Sequence, residues 1–516
     1  MSGFTSLGKK NSGGVSGDGS LNANSVGPFG TALVSSMTPS GQGTFVHGIN
    51  SAIWTTGSNG IGPTVSASDA IATCTSGDSP YASAVLRLNR SSKYRAGQGT
   101  IARLTAIFGS GSADTLQLAG VGNAECGFYF AMSGTNFGIL HRERSKREIR
   151  EFTGVTGVGS NVTLTVTLGG VAKSITISGG GDAYQTAYLI SKQDYSMVGM
   201  GWTAEAHGNH VHFISSTPGP VVGTFSIVNG GGSPIATMGT TQTGVLPTET
   251  FIPQSSWNID QMDGTGPTRF DMDPTKGNVY GIGYQFLGFG NPTFSIENPE
   301  TGLLAQCHMI QWAGSHTSTV IKNPAMSIRW EAINSGSSAS SVSVSGASGG
   351  LFTEGIVQRN VGVAFSAAGT KSNVGATELP ILTIRANQIY GSVCSYGELA
   401  PFNISLGNET GTSSNGKLLR IQIYKNIGLA GPVNFQNLDS TRSIASIDTT
   451  STGVFTTANT QLLKSIILAA NNSLVLKLED ENFFIVNGDT LTITAQRLGN
   501  SSIETAAASV SWFEDQ

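Results

Sequence analysis

Apolar residues in this chain come almost entirely in short alternating runs, each closed by Gly, Ser, Thr or Asn. Alternation with period two sends successive side chains to opposite faces of a strand, so such runs make half-buried strands rather than an amphipathic helical stripe. Composition pushes the same way. Charged residues make up only 12% of the 516, while 69 are Gly, so the long polar side chains that line exposed helices are scarce and positive-φ turn residues are plentiful. The fold class read from these features is all-β. One weak helical candidate remains, over 460–469.

A chain of this length exceeds what one core spans, which predicts several domains. Residues 1–42 hold little to bury and read as an extended N-terminal arm. Strand signals begin at 43 and run to 156, and similar aromatic-rich segments return over 246–365, which predicts one discontinuous β-sandwich. Between them, 157–245 reads as an inserted small β-domain. It opens with the clearest hairpin in the chain, where the alternating run 162–168 turns through Gly169-Gly170 into 174–177. Residues 366–516 read as a second, C-terminal β-sandwich.

Charge is uneven along the chain. Residues 1–150 carry 12 Lys and Arg against 7 Asp and Glu, and the remainder carries 16 against 25. That asymmetry could orient the molecule on an anionic partner but is too dilute for a nucleic-acid groove, so no nucleic acid is expected among its partners. The densest positive segment, 142–151, follows the hairpin turn at 133–136. It places Arg142, Arg144, Lys146 and Arg147 at an exposed tip, either as a solvated turn or as a contact for an acidic subunit.

Cys74, Cys126, Cys307 and Cys394 are too far apart for a CxxC pair and read as buried thiols. No run approaches a membrane span, and the first residues have no apolar core of signal-peptide length, so synthesis in a reducing cytoplasm without membrane insertion is expected. Asp260, Asp263, Asp271 and Asp273 could offer hard oxygen ligands to calcium, but Asp-Gly and Asp-Pro also mark turns, and an EF-hand's closing Glu is missing. His207, His210 and His212 would need further ligands from the fold to hold zinc. No metal or other cofactor is therefore assigned. Among carboxylates, 479–481 and the pair Glu297 and Glu300 fall in evident turns. The GxSxG letters at 346–350 lack a strand-to-helix elbow, and the GxxxxGK spacing at 411–417 lacks the following Ser or Thr. The expectation is a protein that is not an enzyme.

Four segments together look like a set: Lys93-Tyr94-Arg95-Ala96-Gly97-Gln98-Gly99, Thr135-Asn136-Phe137-Gly138-Ile139-Leu140-His141-Arg142, Trp257-Asn258-Ile259-Asp260 with Asp263-Gly264-Thr265-Gly266, and Tyr284-Gln285-Phe286-Leu287-Gly288. The set resembles segments of virion structural proteins from tailed phages and large algal double-stranded DNA viruses. The ending Ala508-Ser509-Val510-Ser511-Trp512-Phe513-Glu514-Asp515 is similar to the close of such chains. The resemblance spans roughly 40–360 and implies a virion component whose discontinuous domain is a lectin-like, jelly-roll β-sandwich.

With that resemblance the expected role is a tail appendage, fibre or spike contributing to host attachment, assembled in the host cytoplasm. A capsid vertex or decoration protein and a secreted glycan-binding adhesin are the alternatives. Expected partners are the chain itself, as a homo-oligomer with a trimer favoured, other virion proteins, and a host surface glycan. Sugar rings stack on exposed aromatics beside short polar side chains, which makes Trp257, with Asn258 and Asp260, the candidate glycan contact.

Overall fold

The computed structural model describes residues 37–178, 181–336, 340–355, 362–410, 417–478, 483–499 and 504–515. Strand accounts for 56% of it and helix for 3%, so the chain is all-β, built as antiparallel sandwiches. Most of the expected N-terminal arm, and the segments 411–416 and 479–481, lie outside the described residues. The arm's last residues do not: Met37–Thr44 is a strand paired with Ser348–Glu354.

The first sandwich packs a nine-stranded sheet against a ten-stranded one. In the former, Thr100–Phe108 lies between Asn278–Tyr284 on one side and Ser343–Gly346 with Ser348–Glu354 on the other. In the latter, Gly127–Ser133, Thr115–Gly122, Ser327–Asn334 and Ser83–Leu88 follow one another. One core joins residues from Phe45 to Ile139 with residues from Trp257 to Leu351. Its centre is aromatic: Phe45, Trp54 and Trp330 meet at ring-centroid distances of 4.8 to 5.9 Å. The Trp330 indole donates to the Thr105 carbonyl at 3.0 Å. It lies so close to Gly346 that a Cβ there would come within 2.6 Å of the ring, which is why this strand carries a glycine.

One strand, Asn136–Thr153, extends beyond this sandwich. Its first half pairs with Gly127–Ser133 and Val245–Pro253; its second half pairs with His210–Pro218 and Thr237–Gln242. The second half feeds a separate core, where Phe152 joins Leu164, Val166, Ile175, Trp202 and Phe213. Val162–Leu168 and Val171–Ile177 form the hairpin read from the sequence, with Val162 opposite Ile177. The helix Ala183–Ser191, which sequence patterning missed, packs Ala187 and Ile190 into the same core, and Asp182 caps its N-terminus by accepting from the Gln185 amide at 2.8 Å.

The C-terminal sandwich closes five- and six-stranded sheets over Ile381, Ile384, Ile421, Ile493, Val510 and Trp512. The helical candidate at 460–469 is instead the strand Gln461–Leu468, held in register by Leu419–Lys425. A partner strand offers this short apolar run backbone hydrogen bonds and a half-buried face, which its helical spacing could not match. All four cysteines are buried and unpaired.

Part of the uneven charge is paired inside the molecule. Lys93 lies 3.6 Å from Glu398, Arg95 pairs with Asp515, and Arg147 stacks on the Tyr396 ring, so basic groups of the first 150 residues meet the C-terminal sandwich. Replacing Trp330 by Ala should lower the unfolding free energy by about 3–5 kcal/mol, the range for emptying a core site of this size. Guanidinium melts of Trp330→Ala against the parent measure this, and a loss under about 1 kcal/mol would show that the aromatic centre is dispensable.

Candidate functional site

The structure corrects the glycan contact first. Trp257 closes the short 3-10 turn Gln254–Ser256, and its indole is only 4% exposed, set edge-to-face on Phe130 at 6.1 Å and Phe137 at 6.0 Å. Asn258 bridges to a neighbouring strand, donating to the Met309 carbonyl at 2.9 Å and accepting its amide at 3.0 Å. Asp260 is buried and accepts the Met262 and Thr268 amides. All three serve the backbone and the core, and the buried Trp257 ring offers no face to a ligand. Apolar area decides this: an indole at a strand end gains more from core burial than polar neighbours can draw outward.

The basic tip is corrected too. The hairpin turn lies at Gly134 and Thr135, whereas 142–151 lies well inside the long strand. Arg142 is buried beside the Tyr129 ring, with its Nε 2.6 Å from Glu249. Arg147 packs on Tyr396 and only Arg144 and Lys146 are exposed. The aspartates are engaged in turns: Asp263 accepts the Thr265 amide and hydroxyl, and Asp273 accepts those of Thr275. Asp271 is exposed in an isolated bridge to Asp263. Among the described residues no group of three or more His, Cys, Asp or Glu is placed to hold a metal.

The three histidines meet chemistry that their spacing did not announce. They lie on the paired strands Trp202–His207 and His210–Pro218, facing the C-terminal sandwich. Glu151, from the long strand, takes His210 Nδ1 at 2.9 Å and His212 Nε2 at 3.3 Å on one oxygen. Glu205 takes His207 Nε2 at 2.5 Å and the Gln388 amide at 3.0 Å.

Into this group reaches Arg385 from Leu379–Ala386, fully inside the junction. It donates to the Ala206 carbonyl at 2.8 Å, lies 3.9 Å from Glu205 and stacks on the Phe435 ring at 4.1 Å. Beside it opens a cleft of about 500 Å³, walled on one side by Glu151, His210 and His212 and on the other by Tyr390, Gln436 and Asn437. Sequence reasoning missed Arg385, Glu205 and Glu151. The available signal was a single charge inside the apolar run Ile381-Leu382-Thr383-Ile384-Arg385, which a fold must pair.

Electrostatics ties these groups to pH. Burial alone would raise the Glu205 carboxyl, but Arg385 and His207 outweigh it and hold it at about 2, below its ordinary 4.5. The hydrogen bond from His212, helped by His210, holds Glu151 at about 2 as well, against burial. Burial lowers His207 below 6.5, opposed by Glu205 and assisted by Arg385. Each folded value lies below its unfolded one. Each group therefore adds stability above its ordinary value and loses it as pH falls, beginning below 6.5 for His207 and below 4.5 for the carboxylates. Acidification from neutrality to about pH 4 should raise hydrogen exchange in Trp202–His207 and at 386–388 before it does so in the first sandwich core. Arg385→Met, which leaves Glu205 buried without its cation, should cost about 3–5 kcal/mol. Unchanged exchange at the junction, or a loss below about 1 kcal/mol in Arg385→Met, would contradict this account.

No family model matches the chain, and no curated protein matches it. Among solved structures it is similar to basic winged bean lectin with Tn-antigen, at 9% identity over 60% of this chain and 96% of that one, with a TM-score of 0.24. It is similar to lectin UEA-II complexed with galactose at 9% identity over 61% and 100%, TM-score 0.21. A protein of an archaeal virus with a triple jelly roll fold, described in its turret assembly, gives 8% identity over 90% of each chain and a TM-score of 0.16. Superpositions this loose carry no argument about what the chain does, and the β-sandwich class rests on its own sheets.

Proposed function

We propose that this chain is a structural, non-catalytic component of a virus particle, displayed on the surface as an appendage, fibre or spike and contributing to host attachment. The observation that carries the reading is where the virion-like segments lie. Phe137 packs on Trp257 at 6.0 Å, Tyr284 packs on Phe128 at 5.6 Å, and Tyr94 meets Phe286 at 5.9 Å, so the segments that carry the resemblance build one connected sandwich. Of these rings Phe128, Phe137, Trp257 and Tyr284 are buried in its core, Phe286 packs against that core, and Tyr94 lies exposed over Phe286.

Self-association fits the same role and draws support from the C-terminal sandwich. Its edge strands Val363–Val374, Gln461–Leu468 and Asn472–Lys477 each pair on one side only among the described residues, and they expose Val363, Leu462, Ile467 and Val475. Unpaired edges with apolar side chains favour pairing with another copy.

The reading is tested by immunogold labelling of intact particles with antibody against the purified chain. Surface labelling is the expected result, and particles without the chain would overturn it. In sedimentation, the purified chain should run above the 53.3 kDa of one copy. Ile467→Lys with Val475→Lys should shift it towards that mass, and a parent chain that is monomeric at micromolar concentration would remove the oligomer from the proposal.

A further inference from the structure

The cleft beside Arg385 has the lining of a small-molecule site rather than of a closed junction. Its volume of about 500 Å³ lies within the roughly 300–1,000 Å³ of such sites. One wall carries a carboxylate and imidazoles; the other carries the exposed amides of Gln436 and Asn437 and the half-buried ring of Tyr390.

That second wall is held in place. Tyr390 stands at the foot of a two-residue hairpin in which Gly391 and Ser392 both have positive φ, 55° and 67°, the geometry of a tight turn matched to strand twist. Its hydroxyl donates to the Thr441 carbonyl at 2.5 Å, which ties the hairpin to the neighbouring loop. Asn437 accepts from the Asn387 amide group at 3.1 Å, and Asn387 in turn lies beside Arg385. On the facing wall the Nδ1 atom of His212 is buried without a hydrogen-bond partner. A lining of amides, a carboxylate and imidazoles around one aromatic ring suits a molecule that alternates hydroxyls with C–H faces.

We propose that this cleft binds one residue of an uncharged sugar, with its ring against Tyr390 and its hydroxyls shared among Glu151, His210, Gln436 and Asn437. The sign of the charge sets the class: Glu151 is ionised at neutral pH, so an acidic sugar would meet a carboxylate, while a neutral one supplies hydroxyl donors to it. The inference rests on the attachment half of the reading above and supplies the contact that Trp257 does not.

Saturation-transfer NMR on the full chain tests it, using glucose, galactose, mannose and N-acetylglucosamine at tens of millimolar, with N-acetylneuraminic acid as the anionic comparison. Transfer to at least one neutral sugar and not to N-acetylneuraminic acid is expected. Gln436→Ala changes only an exposed side chain and should keep the parent melting temperature; the double variant Gln436→Ala, Asn437→Ala also removes the acceptor of the buried Asn387 amide and should lower that temperature by a few degrees while the chain stays folded. The double variant should weaken the interaction about tenfold, the size of losing one or two net hydrogen bonds. Tyr390→Ala should do the same. Transfer to none of the neutral sugars, equal transfer to N-acetylneuraminic acid, or binding undiminished in the double variant would overturn the inference. Particles labelled on their surface by a chain that binds no sugar would sink this inference and leave the particle reading standing. Sugar binding by a chain missing from particles would do the reverse.

Discussion

Asn136–Thr153 serves two cores along one continuous backbone, and every strand beside it changes near its midpoint. Phe137 and Ile139 belong to the first sandwich, while Phe152 belongs to the small lobe, so the lobe is not strung on a flexible tether. Its orientation is fixed by strand twist and by the hydrogen bonds of a single ladder. Because that strand aims the lobe at the C-terminal sandwich, it also decides which side chains meet there: Glu151 projects from its second half, and the histidine strands pair beside it.

Where the lobe meets the C-terminal sandwich, buried polar groups sit beside two small apolar clusters, Tyr188 with Leu429, Val433 and Phe435, and Ile149 and Ile214 with Cys394. Arg385 satisfies a carbonyl, a carboxylate and an aromatic face of its neighbours at once, and Glu205 is surrounded by donors. A buried pair of this kind adds little net stability compared with a well-packed apolar contact, but it tolerates few alternative geometries. The same holds for Lys93 with Glu398 and Arg95 with Asp515. The charge asymmetry that suggests an external anionic partner in the sequence is thus met in part by acids later in the chain, Glu249, Glu398 and Asp515.

Legibility followed the range of the interactions. The hairpin at 162–177 was legible, because unbroken alternation and a Gly-Gly turn specify register locally, although its second strand starts at Val171 and not at 174. The helix Ala183–Ser191 could not: it has nine residues, no charged face, and stability that comes from the core beneath it, and its one local cue was Asp182 at the cap. Trp257 was misread because a sequence shows what lies beside a ring in the chain and not what lies beneath it. The histidine cleft was half visible, since 210 and 212 share a strand face, while Glu151 and Arg385, distant in sequence, arrive only through tertiary pairing.

The last described strand, Glu504–Asp515, lies between Val363–Val374 and Glu398–Thr410 and pairs with both along nearly its whole length. During synthesis the first sandwich has all its strands once Ser348–Glu354 is made, with the small lobe complete by then. The C-terminal sandwich is different. Its five-stranded sheet lacks a central member until residues 504–515 leave the ribosome, and until then Val363–Val374 and Glu398–Thr410 wait with open edges facing each other across an empty lane. Contacts this far apart in sequence form slowly, and unpaired edges can be captured by neighbouring nascent chains. The order of translation therefore gives two finished units first, and a third whose closure is the late, aggregation-exposed step in making the molecule.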